Sequence, residues 1–343
     1  MGEEIMKEEQ TLVALTLGDP AGIGPELIAK LLSQPAELGD NRVVLVGDPW
    51  VWQSGQSVAG VSVATRALDS LSQARQAPGG LPLFVALDTV QQGGVDVGKA
   101  AAAGGRSVLQ VLDRCMDAAL AHEVDAICFA PLNKLAMKLG GLRFEDELHH
   151  FADYLKVAGY FCEFNTLGNL WTSRVSSHIP LKDAASYVTR ERVMEAARLI
   201  HRSLRAAGVE HPRVAVAALN PHGGEGGTCG REELDVIAPA VADLVAEGIP
   251  VQGPFSADTI FLRARAGEFD AVVTMYHDQG QIAVKLLGFE KGVTVQGGLP
   301  VPITTPAHGT AYDIAGQNRA RVDAMRAAFQ VAARMGAAYQ RRG

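Results

Sequence analysis

TLVALTLGDPAGIGPELIAKLL, residues 11–32, is a β-rich apolar run, a tight turn and a helical pattern in direct succession. Pro25 falls in the first helical turn, where its missing N–H would have had no partner anyway. The same rhythm recurs outward from it. Further apolar runs stand at Arg42–Gly47, Leu81–Leu87, Val124–Ala130, Val214–Leu219 and Asp270–Tyr276, and amphipathic stretches at 106–122, 190–208 and 322–342 separate or follow them. Alternating strands and helices predict an α/β chain with a mostly parallel sheet, and near-continuous apolar strands predict that helices cover both of its faces. Residues 288–306 (GFEKGVTVQGGLPVPITTP) are rich in Gly, Pro and Thr and break the rhythm, so extended strands and loops are expected there.

The 343 residues suffice for one large α/β unit or two packed lobes. Hydrophobic residues make up 48% and charged residues 20%, which excludes disordered and collagen-like classes. With 31 Lys and Arg against 38 Asp and Glu, the net charge of −7 argues against nucleic acid as a partner. Cys115, Cys128, Cys162 and Cys229 form no CxxC pair and read as reduced thiols. The opening MGEEIMKEEQ is charged where a signal peptide needs an apolar core, and no run is long enough to span a bilayer. A cytoplasmic protein with no membrane contact is the expectation.

Ligands of open α/β sheets bind at the carboxyl ends of strands. Three of the nine histidines, His178, His222 and His277, follow three separate apolar runs at such positions. Three converging imidazoles make a divalent metal site, zinc before cobalt, nickel, manganese or magnesium; the alternative is three loop histidines bonded to carbonyls. The loop NPHGGEGG (220–227) lets the backbone approach a ligand closely, and Asp258 and Lys285 are candidates to move protons or meet a carboxylate. GDPAGIGPE matches neither the dinucleotide nor the P-loop spacing and reads as a strand-to-helix turn.

His308-Gly309-Thr310-Ala311-Tyr312-Asp313-Ile314-Ala315-Gly316-Gln317-Asn318 resembles the HGSAPDIAG loop by which isocitrate and isopropylmalate dehydrogenases cup the adenosine end of a nicotinamide cofactor. With GDPAGIGPE, SSHIPLKD, LNPHGGEGG, ADTIF and YHDQG in the same order, residues 11–335 resemble the 4-hydroxythreonine-4-phosphate dehydrogenase (PdxA-like) family. The resemblance implies two α/β/α lobes with a cleft between them, of isocitrate/isopropylmalate-dehydrogenase type. We place them at 1–130 plus 300–343, with the nucleotide loop, and at 131–299, with the metal ligands and dimer contacts. It also implies an NAD-dependent enzyme that oxidises a secondary alcohol and then loses carbon dioxide, in a homodimer whose active site is shared, His277 reaching the partner's site.

By the same resemblance His178, His222 and His277 are metal ligands, Lys285 and Asp258 catalytic, and His308, Gly309, Thr310, Ala311, Asp313 and Asn318 cofactor contacts. NAD is expected over NADP because no basic cluster surrounds that loop. Two segments depart from the pattern. A GHTE segment that supplies a substrate-binding His is replaced by Phe144–Phe151 (FEDELHHF), leaving Glu147, His149 or His150 to take its part. Where biosynthetic members offer an Asn and an Arg to the substrate phosphate, this chain has Thr294 and Ile303. Loss of a bidentate guanidinium contact disfavours phosphate, so the sequence reading favours a nonphosphorylated cis-dihydrodiol carboxylate, as in terephthalate breakdown, with Thr294 and Ile303 lining its pocket. The alternatives are the 4-phosphooxy-L-threonine dehydrogenase of pyridoxal phosphate synthesis and, in another class, a metal-dependent hydrolase.

Overall fold

A computed structural model describes residues 10–341, so all but the last residue of MGEEIMKEEQ lies outside it. The chain divides into two compact units: Met1–Leu142 with Thr310–Val322 and Phe329–Gly343, and Arg143–Gly309 with Asp323–Ala328.

The first unit holds β1 (Leu12–Thr16), β2 (Arg42–Gly47), β3 (Arg66–Leu68), β4 (Leu83–Ala86) and β5 (Ala126–Phe129), in the order β3-β4-β2-β1-β5 with every pairing parallel. All five residues of β1 are buried, as a strand covered on both faces requires. Its helices are α1 (Gly24–Leu32), α2 (Pro49–Ala59), α3 (Ala102–Leu120) and α4 (Lys134–Gly140). The Asn133 side chain caps α4, accepting the backbone N–H of Ala136.

The second unit holds β6 (Cys162–Leu167), β7 (Leu170–Arg174), β8 (Val214–Ala217), β9 (Val251–Phe255), β10 (Ala271–Thr274), β11 (Val293–Gly297) and β12 (Ile303–Pro306), in the order β12-β11-β6-β7-β10-β8-β9. Its helices are α5 (Glu147–Tyr154), α6 (Leu181–Tyr187), α7 (Arg190–Ala206), α8 (Ala238–Ala246), α9 (Ala257–Arg265) and α10 (His277–Gly288); α11 (Asp323–Gln340) contributes its first turn. Strands β7, β10, β8 and β9 are parallel, and Ala215, Ala217, Val272, Ile260, Phe261 and Phe269 pack a core on them.

A mostly parallel α/β sheet is therefore present, but β12, β11, β6 and β7 pair antiparallel. Strands β6 and β7 escape a search for apolar runs because Glu163, Asn165, Thr172 and Arg174 interrupt them. The Gly/Pro/Thr-rich segment supplies β11 and β12. Three cysteines are buried, Cys229 is exposed, and none is in a disulfide. Among the described residues no helix is long and apolar enough to cross a membrane.

Candidate active site

Strands β7, β10 and β8 are consecutive neighbours in the sheet. His178 lies four residues beyond β7, His277 opens α10 three residues beyond β10, and His222 lies in the turn that follows β8. Long-range pairing of strands thus places residues separated by 44 and 55 positions after neighbouring strands. The His178 and His277 rings stand 5.5 Å apart between centroids. Gln279 pins the start of α10 to the end of β8: its amide donates to the Ala218 carbonyl at 2.8 Å, and its carbonyl accepts the Met275 N–H at 2.7 Å.

Each imidazole faces a carboxylate through Nδ1. His222 pairs with Glu225 at 2.7 Å, His277 with Asp278 at 2.7 Å, and His178 stands 3.9 Å from Asp146. A carboxylate only accepts, so in the two close pairs Nδ1 carries the hydrogen and Nε2 keeps a lone pair, the arrangement of a metal-ligating histidine. Hydrogen bonding to Glu225, with added charge from Glu225 and Asp258, raises the pKa of His222. The donor set suits a divalent cation of borderline softness. The His222 loop is built for close approach: His222, Gly223, Gly224, Glu225 and Gly226 all have positive φ. Glycine adopts that region freely, whereas His222 and Glu225 are held there against steric cost.

Two cavities flank His178. One of about 290 Å³ is lined by Ser176, Ser177, His178, Tyr276, His277 and Asp278. The other, about 260 Å³, takes in Glu145, Asp146, His149, Glu163, Arg174 and His178. Glu145, Asp146 and His149 offer ligand atoms within 4.8 Å of one another. Buried Asp146 also caps α5 by accepting the His149 N–H at 3.0 Å, and it holds His149 Nδ1 at 2.6 Å. His149 thus lines the cavity, whereas His150 sits among the rings of Phe144, Phe151 and Tyr154. Glu147 is half-buried in the first turn of α5.

Asp258 is exposed in the first turn of α9. Lys285 lies on α10, eight residues after His277. Thr294 is buried on β11, and Ile303 is fully enclosed in β12 and presents no surface. Arg174, Glu163, Asn165 and Asp146 are not singled out by the sequence motifs; the available signals are polar residues inside the otherwise apolar β6 and β7 for the first three, and a helix-cap position for Asp146.

His308 and Gly309 end the second unit, and Thr310–Asn318 belong to the first. Burial lowers the His308 pKa. In the first unit Thr310 accepts the Ile23 N–H at 3.1 Å, and the Tyr312 hydroxyl donates to Asp19 at 2.6 Å. Burial raises the Asp19 pKa despite that bond. Asn318 adopts φ 57° and its carbonyl accepts from Lys30 at 3.4 Å. GDPAGIGPE is therefore the strand-to-helix turn expected, and it buttresses the Thr310–Asn318 loop. Ala311 is half-buried and Asp313 exposed along that loop.

The family model described as pyridoxal phosphate biosynthetic protein PdxA matches residues 40–332. The chain belongs to the PdxA family. A Pseudomonas aeruginosa protein named "Putative 4-hydroxythreonine-4-phosphate dehydrogenase 2" is 50% identical over 94% of this chain and 96% of its own length. D-Threonate 4-phosphate dehydrogenase of Salmonella typhimurium is 37% identical, over 94% of this chain and 98% of its own. The crystal structure of 4-hydroxythreonine-4-phosphate dehydrogenase from Klebsiella pneumoniae has a TM-score of 0.83 at 34% identity, covering 95% of this PdxA chain and 98% of that one.

These relatives overturn the dihydrodiol reading. A terephthalate 1,2-cis-dihydrodiol dehydrogenase from Burkholderia xenovorans is more distant, with a TM-score of 0.66 at 29% identity over 91% of this chain and 94% of that one. Aromatic catabolism is withdrawn with it. The error was physical: reading two positions, Thr294 and Ile303, treats an anion site as tied to fixed places in the chain, whereas a folded sheet can supply a guanidinium from another strand.

Proposed function

We propose that this PdxA-family chain is an NAD-dependent dehydrogenase that oxidises the secondary alcohol of a four-carbon hydroxy acid bearing a terminal phosphate, of the 4-hydroxythreonine-4-phosphate type. The observation that carries the reading is the set His178, His277 and His222 on three adjacent strands, in a chain whose relatives are named for such substrates. Oxidation sends a hydride to NAD and releases a proton, leaving a ketone β to the carboxylate. The C–C bond to that carboxylate then breaks, carbon dioxide departs, and the electron pair remains as an enolate that takes up a proton.

A divalent cation, zinc being our first choice, would be held by Nε2 of His178, His222 and His277 and would supply positive charge opposite the substrate oxygen on which negative charge develops. Glu225 and Asp278 orient two of the imidazoles. Asp258 and Lys285 are the candidate proton carriers, His149 is the substrate-facing member of 147–150, and the loop from His308 to Asn318 holds the adenosine end of NAD. A homodimer with a shared site is part of the proposal.

The test is reduced-nicotinamide absorbance with 4-hydroxythreonine-4-phosphate and with D-threonate 4-phosphate, in the presence of divalent metal. Turnover of either, with carbon dioxide released, is the expected result. No absorbance change with both substrates, or metal-dependent phosphate release without nicotinamide, returns the chain to the hydrolase class.

A further inference from the structure

Strands β11, β6 and β7 form an antiparallel ribbon in which Thr294 pairs with Asn165, Asn165 with Thr172, and Gln296 with Glu163. Residues two apart share a face of a strand, so Thr294, Gln296, Glu163, Asn165 and Arg174 lie on one face. Arg174 is 6% exposed. Its Nε donates to Ser177 Oγ at 3.0 Å, Nη1 to Asn165 Oδ1 at 3.0 Å and Nη2 to Glu163 Oε2 at 2.9 Å. Asn165 also accepts from Gln281 of α10 and donates to Thr294 Oγ1 at 3.3 Å. Gln281 stands four residues before Lys285, and helical residues at that spacing are neighbours.

One feature on this face is costly without a ligand, and a second is available to one. Gln296 is 2% exposed, yet neither its Oε1 nor its Nε2 has a partner among the described residues; an unpaired buried amide costs about 1–3 kcal/mol. A guanidinium has five N–H donors in a fork that fits phosphate, and the three bonds above leave two of them over. Arg174 and Glu163 both line the 260 Å³ cavity beside His178.

We infer that this face is the anion anchor of the substrate pocket. Arg174 supplies to a phosphomonoester the guanidinium that the position of Ile303 lacks, with the Gln296 amide and the Thr294 hydroxyl as further donors. The inference rests on the function proposed above. Glu163 neutralises the buried guanidinium while the pocket is empty and opposes the incoming dianion, so the two partners of one ion pair act on phosphate with opposite signs.

Titration of the metal-loaded protein with inorganic phosphate by calorimetry tests this. Arg174→Gln is expected to weaken phosphate binding by about tenfold or more, with a matching rise in KM for the phosphorylated acid, a smaller change in kcat, and partial rescue by Arg174→Lys. Glu163→Gln, which keeps an acceptor for Nη2, is expected to tighten phosphate binding. Gln296→Leu, which removes two unpaired buried atoms, is expected to fold at least as stably and bind phosphate less well. Unchanged phosphate affinity in Arg174→Gln and Gln296→Leu overturns the assignment, as does a parallel loss in Arg174→Gln and Glu163→Gln, the behaviour of a purely structural ion pair. If the wild type oxidises neither phosphorylated acid, the functional reading falls while the phosphate titration still decides the anchor.

Discussion

His178, His222 and His277 follow three neighbouring strands and are the ligands of the proposed metal site, so on that reading removing one imidazole leaves too few ligands for a tight site. Alanine at any of the three is expected to lower divalent-metal affinity and turnover together by more than about a hundredfold, beyond the range that a supporting residue costs. Glu225→Gln, which changes the carboxylate bonded to His222 Nδ1, is expected to cost about tenfold. Metal content by atomic spectroscopy, with circular dichroism to confirm the fold, checks both; an alanine variant with full metal and normal turnover removes that histidine from the set.

His308 carries a prediction in pH. Burial lowers its pKa from 6.5, so the unfolded chain takes up a proton at a higher pH than the native chain does. The stability that His308 contributes is present above pH 6.5 and declines as pH falls through the lowered native value. His308→Gln, which cannot charge, is expected to flatten the fall of Tm between neutral pH and about pH 5. An identical slope in wild type and variant contradicts it.

Helices are held close where the sequence offers no side chain. Gly105 of α3 faces α4 so tightly that a Cβ there would lie 1.8 Å from the Ala136 carbonyl oxygen, and backbone cannot step aside as a flexible side chain can. Gly105→Ala is therefore expected to destabilise the protein by about 2–3 kcal/mol through overpacking, despite alanine's better helix propensity. Urea unfolding measures it, and a neutral or stabilising change means that the two helices part without cost. Within elements the sequence was legible wherever one force dominated. Apolar runs became β1, β2, β4, β5, β8 and β10, and the 3.6-residue period became α3, α7 and α11. Strands β6 and β7 were not legible as a pair, because the Arg174, Asn165 and Glu163 network puts polar residues at strand positions and disguises the apolar pattern.

At the scale of the molecule, the proposed shared site makes a mixing experiment decisive. Refolding His222→Ala and His277→Ala chains together is expected to recover about a quarter of wild-type activity if His277 serves the partner's site, since half of the dimers are hybrids and each restores one of two sites. No recovery in verified hybrids means that each chain builds its site alone, and the 5.5 Å approach of His178 and His277 within one chain makes that outcome readable. By itself the sequence determined the α/β class and the family, because periodicity is local and motif order survives along a chain, and it nominated three histidines. What only tertiary structure decided is which strands are neighbours. Pairing of β7 with β10 sets His178 beside His277, pairing of β10 with β8 puts His222 after the next strand, and pairing of β6 with both β7 and β11 lays Arg174, Asn165 and Thr294 on one face. Asn165 and Thr294 stand 129 positions apart, and no local pattern encodes such contacts because the hydrogen bonds that register one strand on another are made by the backbone that all residues share.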